Sequence, residues 1–295
     1  METPHMTGMS DDLSISFELF PPKTEAGVTR LQDTVRQLSA AEPKYFSVTY
    51  GAGGTTRDRT ARMVEMVANR TGLPVAHHFT CVGASRAEID RQAEGFWESG
   101  IRKIVALRGD LPDGETVPED GYRDAAELVG ALRRVGDFDI SVAAYPEVHP
   151  EASDAKGDLD HLKRKIDNGA ARAITQYAFD TDTVLRFIDR ARAAGIEAPI
   201  VPGIMPVSNF AGLKRFSEGC GASIPDWLGQ MFDGLDDAPE TRAMVATGVA
   251  AEQCRRLIDE GVREFHFYTL NQPKVTLAVC RTLGLTPDIP AEDAA

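Results

Sequence analysis

A (β/α)8 barrel of the TIM type is the fold class this sequence predicts, on three observations. Eight short β-rich runs recur along the 295 residues, and helical patterns lie between them. No Pro/Gly/Ser-rich linker and no low-complexity segment divides the chain, so a single large α/β unit fits its length. The glycine fingerprints of open nucleotide-binding sheets are missing: no GxGxxG opens a helix, no GxxxxGK(S/T) loop appears, and "GAGGTT" at 51–56 has the wrong spacing. A doubly wound sheet is the runner-up, but eight strands favour closure. Residues 1–12 read as a disordered tail and 13–295 as the barrel.

The elements follow in order. In the first run, 14–20 "SISFELF", Ile15, Phe17 and Leu19 share one face, and Ser16, Glu18 and Phe20 share the other. Pro21-Pro22 ends it, because proline donates nothing to a ladder and restricts the residue before it. Leu31, Val35 and Leu38, at i, i+4 and i+7, mark the first helix. Strands follow at 45–50 "YFSVTY", 74–81 "PVAHHFTC", 102–107 "RKIVAL" and 138–144 "FDISVAA". Leu159, Leu162 and Ile166 form the buried stripe of a later helix, beside a polar stripe of Asp158, His161 and Lys165. The last strands are 172–176 "RAITQ", 198–203 "APIVPG" and 264–270 "EFHFYTL". Ser208 reads as the N-cap of the helix that carries Phe216.

Composition narrows the function classes. A formal net charge of −13 with no Lys/Arg stripe argues against nucleic acid, although a local pocket can still take an anionic small molecule. No apolar run approaches the ~20 residues of a membrane span, and the N-terminus shows no secretory signal. Four scattered cysteines with no CxxC or Cys/His cluster argue against structural zinc and for a cytoplasmic location.

Chemistry in such a barrel gathers at the C-terminal ends of the strands. Read in order, those ends supply Glu18, Thr49-Tyr50, His78, Arg108-Gly109-Asp110, Tyr145, Gln176, Met205 and Tyr268. A lone Glu in a strand usually faces solvent or pairs with a buried Arg. Its place at this rim, among polar and aromatic groups, opens a catalytic role beside that reading.

The motifs "SFELFPPK", "FSVTYGAGG", "HFTC", "IVALRGDLP", "DISVAAYPEVHPEA", "LKRKIDNGA", "PGIMPVSNF", "MFDGLDD" and "FHFYTLN" resemble bacterial methylenetetrahydrofolate reductase over almost the whole chain. The resemblance implies a barrel holding FAD, with NADH or NADPH and a folate using one flavin face in turn. It also implies a homo-oligomer. Because the chain ends soon after the last helix, no further regulatory domain is expected.

By the same resemblance Glu18 is the acid that protonates folate N10. A carboxyl among apolar neighbours such as Phe17, Leu19 and Phe20 keeps its proton to higher pH, which suits the role. Asp110 would meet the pterin's amino-pyrimidine edge with two oxygens, unless it serves as a loop partner of Arg108 or an Asx turn. Gln176 would bond both pterin and nicotinamide, its amide offering donor and acceptor together. The implied flavin and nicotinamide set is Thr49, Tyr50, Ala52, His78, Arg108, Gly109, Asp110, Tyr145, His149, Asp158, His161, Arg164 and Lys165. In this set Arg164 and Lys165 would neutralise the pyrophosphate in place of a glycine loop. The alternative for that helix is a solvated face with a local ion pair, and His149 could be a plain loop histidine. Phe216 would stack on the nicotinamide and the folate side chain, with Tyr268 and Gln272 on the folate side.

Three positions depart from the family pattern, one of them His161, which stands where Asn is usual and without obvious consequence. Gly212 stands where Gln is familiar, and Gln272 stands where Arg often follows "YTLN". The last change removes a charge-assisted contact to the glutamyl tail of a type worth about 1.5–3 kcal/mol. Two rival functions remain on sequence alone: a flavin-free pterin-binding methyltransferase and a non-catalytic folate- or flavin-binding subunit.

Overall fold

The computed structural model of the chain describes residues 12–50, 57–111 and 116–285. Ala52 and all but the last residue of the expected 1–12 tail lie outside these residues. Strands β1 (Ser14–Leu19), β2 (Tyr45–Val48), β3 (Val75–Thr80), β4 (Lys103–Leu107), β5 (Asp139–Ala144) and β6 (Arg172–Thr175) pair in sequence, each parallel to the next. The seventh barrel strand comes in two pieces, β7 (Ile200–Val201) and β8 (Gly203–Ile204), and the last is β9 (Glu264–Tyr268). β7 pairs with β6, β8 with β9, and β9 with β1. The circle therefore closes across one residue, Pro202.

Here the sequence reading, a single strand over 198–203, is corrected. Pro202 has no N–H to give a ladder, so the strand changes partner at that residue. The Pro202 carbonyl accepts His266 N at 3.0 Å. Gly203 takes the inside of the bend: a Cβ there would sit 2.2 Å from Thr175 O and 2.4 Å from Tyr268 Cε2. Any other residue would push the two strands apart.

The alternation sorts the strand side chains. Ile15, Phe17 and Leu19 join Phe46, Val48, Phe265 and Phe267 under the helical layer, all buried. The opposite face of each strand fills the barrel. Its base is polar: Asp139 pairs with Lys103 and, at 2.6 Å, with Arg172. Tyr45 lies above this base, its ring stacked on His266 with centroids 6.1 Å apart. The barrel is thus a packed core with charge at the bottom and chemistry at the top.

Helices α1 (Glu25–Ser39), α2 (Arg57–Thr71), α3 (Arg86–Glu98), α4 (Ala125–Val135), α5 (Ala155–Asp167) and α6 (Thr181–Ala193) fill the crossovers. Short polar side chains start most of them. Ser85 and Glu88 form a capping box on α3, and Asp124 accepts two N–H groups of α4 at 2.9 and 3.0 Å. Three helices lie between β8 and β9, namely α7 (Phe210–Cys220), α8 (Asp226–Phe232) and α9 (Pro239–Asp259), and α10 (Pro273–Thr282) follows β9. The cap of α7 is Asn209, which accepts Gly212 N at 2.9 Å; the expected cap, Ser208, lies one residue too early. α7 and α8 pack over the rim through Leu213, Leu228, Phe232, Tyr177 and Phe179. Among the described residues no helix is long and apolar enough to cross a membrane.

Candidate active site

Glu18 is one residue from the C-terminal end of β1 and faces the barrel interior, 7% exposed. Its apolar sequence neighbours do not enclose it: Phe17 and Leu19 turn to the helical side, as a period of two requires. Imidazoles and a phenol surround it instead. His78 Nε2 on β3 lies 3.4 Å from Glu18 Oε2, and His266 Nε2 on β9 lies 3.8 Å away. Burial pushes His78 down to about 4 against the upward pull of Glu18, so this ring is neutral near pH 7. His78 Nε2 is buried and has no hydrogen-bond partner.

His266 is held from below and from the side. Its Nδ1 is 2.7 Å from Ser16 Oγ and its Nε2 is 3.4 Å from Ser47 Oγ. Behind it, Tyr268 donates its hydroxyl to Thr175 O at 2.7 Å, and burial raises that phenol well above its usual range. Thr269 Oγ donates to Glu18 O at 2.7 Å. Asn271 clamps the end of β1, its side chain accepting from Phe20 N at 3.0 Å and donating to Phe20 O at 2.9 Å. Of these supports sequence reasoning named only Tyr268, and for a different role, on the folate side. The signal for His266 and Ser16 was available, since they stand two residues from Tyr268 and Glu18 on the same strand faces.

The structure brings most of the remaining candidates to the same end of the barrel. Thr49 and Tyr50 follow β2, and Arg108, Gly109 and Asp110 follow β4. Arg108 makes a two-pronged pair with Glu151 at 2.5 and 2.8 Å, leaving the exposed Asp110 outside that pair. Gln176 follows β6 with its Oε1 accepting Tyr177 N at 3.0 Å. Tyr145 and His149 meet edge to face, centroids 4.5 Å apart, and burial pushes the Tyr145 hydroxyl up to about 12. His149 Nδ1 accepts Glu151 N at 3.0 Å, and Asp158 accepts His149 N at 3.1 Å, tying α5 to this loop.

On α5 the expected polar stripe is corrected. Leu162 is buried, Leu159 and Ile166 are only half-buried, and Lys165 lies 4% exposed with its Nζ donating to Ala143 O at 2.6 Å. Burial lowers the Lys165 amine to about 8, against the pull of Asp158 and Asp124. Arg164 makes an ion pair, though not one within its own helix: its partner is Asp124, the cap of α4, at 2.9 Å. His161 lies 3.7 Å from the same carboxylate, its Nε2 buried and without a hydrogen-bond partner. Phe216 on α7 is 58% exposed, and Gln272 is exposed at the start of α10. His77 is a packed neighbour as expected, its ring 4.4 Å from that of Phe96.

A parallel α/β barrel with a buried carboxyl and a ring of polar and aromatic groups at its C-terminal mouth is an enzyme of the barrel class. Comparison with known proteins narrows this. The family model described as methylenetetrahydrofolate reductase matches residues 5–284. The 5,10-methylenetetrahydrofolate reductase of Pectobacterium carotovorum is 52% identical over 277 residues, covering 94% of this chain and 92% of that one. The enzyme of the same name from Escherichia coli K12 is 50% identical over 94% of this chain and 93% of its own. A maize methylenetetrahydrofolate reductase (NADH) 1 is 37% identical over 92% of this chain but only 48% of its own. The chain belongs to the methylenetetrahydrofolate reductase family. At the level of fold alone it also resembles a Clostridium thermocellum protein that binds two copies of 5-methyl-5,6,7,8-tetrahydrofolic acid, with a TM-score of 0.64, 16% identity and coverage of 95% and 96%.

Proposed function

We propose that this reductase converts 5,10-methylenetetrahydrofolate to 5-methyltetrahydrofolate with bound FAD, taking its hydride from NADH or NADPH, and that Glu18 is the acid. The observation that carries this reading is the placement of Glu18, a carboxyl buried at the mouth of the barrel with two imidazole Nε2 atoms within 3.8 Å. Residues fit to hold the flavin are His78, Arg108, Gly109, Tyr145, His149, Asp158, His161, Arg164 and Lys165. The unpartnered Nε2 atoms of His78 and His161 and the buried ammonium of Lys165 suit a ligand with polar edges and anionic phosphates. Bound FAD would supply two-electron storage, receiving hydride from the nicotinamide and releasing it to the folate.

The protein's part is proton placement and orientation. Glu18 gives its proton to N10, the methylene–N10 bond breaks with its electrons on N10, and the methylene remains as an N5 iminium ready for hydride. The product N10–H keeps the proton, and Glu18 is left as a carboxylate to be reprotonated before the next turnover. The exposed Asp110 would take the amino-pyrimidine edge in a two-oxygen grip. Gln176 would orient both substrates through its amide N–H groups, and Phe216 would cover the outer face of each. One site serving two substrates in turn implies ping-pong kinetics, and we place the enzyme in the cytoplasm as a homo-oligomer.

The test is an anaerobic visible spectrum of the purified protein. A flavin band that bleaches on adding NADH and returns on adding methylenetetrahydrofolate is the expected result. A protein that stays colourless after FAD is added back, yet binds folate, contradicts it.

A further inference from the structure

The loop between β5 and α5 contains Val148 at φ +75°, a left-handed conformation that a β-branched side chain rarely accepts. Such strain persists where the surroundings over-determine it. Here the surroundings are explicit. Val148 N donates to Tyr145 O at 3.3 Å, and Ala152 N donates to His149 O at 2.9 Å. Arg190 Nη2 donates to Pro146 O at 3.3 Å, and His149 N is fixed on Asp158.

The remaining fastening leads away from the barrel. The Glu147 carboxylate accepts both the backbone N–H of Ser223, at 2.9 Å, and the Ser223 hydroxyl. Ser223 lies just past the C-terminal end of α7. Beside it Gly221, at φ +72°, caps that helix so close to Pro150 that a Cβ would be 2.7 Å from Pro150 Cγ. The two segments meet along a seam lined by Tyr145, Val148, Gln176, Tyr177 and Cys220. α7 has two further polar ties to the rim, both on the Tyr177 hydroxyl: Ser217 Oγ lies 3.0 Å from it, and Cys220 Sγ donates to it at 3.3 Å.

We propose that Glu147 is a positioning residue. It fastens the end of α7 to the strained turn, so that the turn bearing Tyr145 and His149 and the helix bearing Phe216 act as one body. Loading the flavin side of the site thereby steadies the helix that covers the substrate side. The inference rests on the roles given above to Tyr145, His149 and Phe216. It assigns the coupling between them to a carboxylate that touches neither ligand.

The experiment compares the full-length chain with Glu147→Ala and Glu147→Gln by hydrogen–deuterium exchange, with and without FAD. In the wild type, FAD should slow exchange both at 145–158 and at 210–223. In Glu147→Ala the first effect should remain and the second should be lost, while KM for both substrates rises roughly fivefold or more with kcat much less affected. Glu147→Gln keeps one acceptor for Ser223, should fold like the wild type, and should restore part of the protection. Protection of 210–223 that survives in Glu147→Ala overturns the proposal, as does a wild type that binds FAD without protecting α7. A wild type that binds no FAD overturns the functional reading itself, and the exchange experiment detects this separately by the unchanged 145–158 segment.

Discussion

Replacing Lys165 with Met tests what burial does to a charged group beside the site. Burial holds the Lys165 amine at about 8, from an ordinary 10.5. That difference of about 2.5 units corresponds to ~3 kcal/mol. Below pH 8 the amine is charged in both folded and unfolded chains, and the folded state bears the whole cost. Between pH 8 and 10.5 the unfolded chain binds more protons, so stability rises with pH through that window and the cost is gone above it. Met keeps the apolar stem without the charge but loses the bond to Ala143 O, worth ~1 kcal/mol. Lys165→Met without cofactor should therefore be ~2 kcal/mol more stable than wild type at pH 7 and ~1 kcal/mol less stable at pH 10.5. Urea unfolding of both proteins at the two pH values measures this. A stability gap that does not change between them would refute the reasoning. The same variant should bind FAD more weakly, because a stabilising change at a functional site removes the charge the ligand uses.

Two other perturbations follow from the same geometry. Asn271→Ala removes both bonds to Phe20 and leaves a non-glycine residue at φ +56°, so it should lower stability by ~2–3 kcal/mol in urea unfolding; a loss below ~0.5 kcal/mol would show that the end of β1 is held by something else. Gln272→Arg places a cation at an exposed position at the start of α10 and should tighten folate binding about tenfold with flavin content unchanged, whereas an unaltered Kd removes the tail-contact account.

The barrel was legible because its evidence is local. Alternation in "SISFELF" separates Phe17 from Glu18, while runs such as "RKIVAL" are apolar on both faces and are marked as strands by composition. The break at Pro202 was visible as a proline inside "APIVPG", but its consequence depends on which strands lie on either side. Lys165 stands three residues after the buried Leu162, a spacing that places both on one helix face. The usual preference of lysine for water hid that signal, because the carbonyl of Ala143 that accepts its hydrogen bond is distant in sequence. The same holds for Glu151 on Arg108 and Asp124 on Arg164, pairs separated by 43 and 40 residues. No pattern announces the left-handed Val148, which only the surrounding fastenings explain.

Glu18→Gln keeps the size and shape of the buried side chain while removing its transferable proton, and it tests the central claim most directly. Anaerobic stopped-flow absorbance would follow the two half-reactions of the purified variant separately. The account predicts flavin reduction by NADH within about twofold of wild type and reoxidation by methylenetetrahydrofolate slowed ~100-fold or more. Equal slowing of both half-reactions, or of neither, would contradict the assignment of Glu18 as the folate acid.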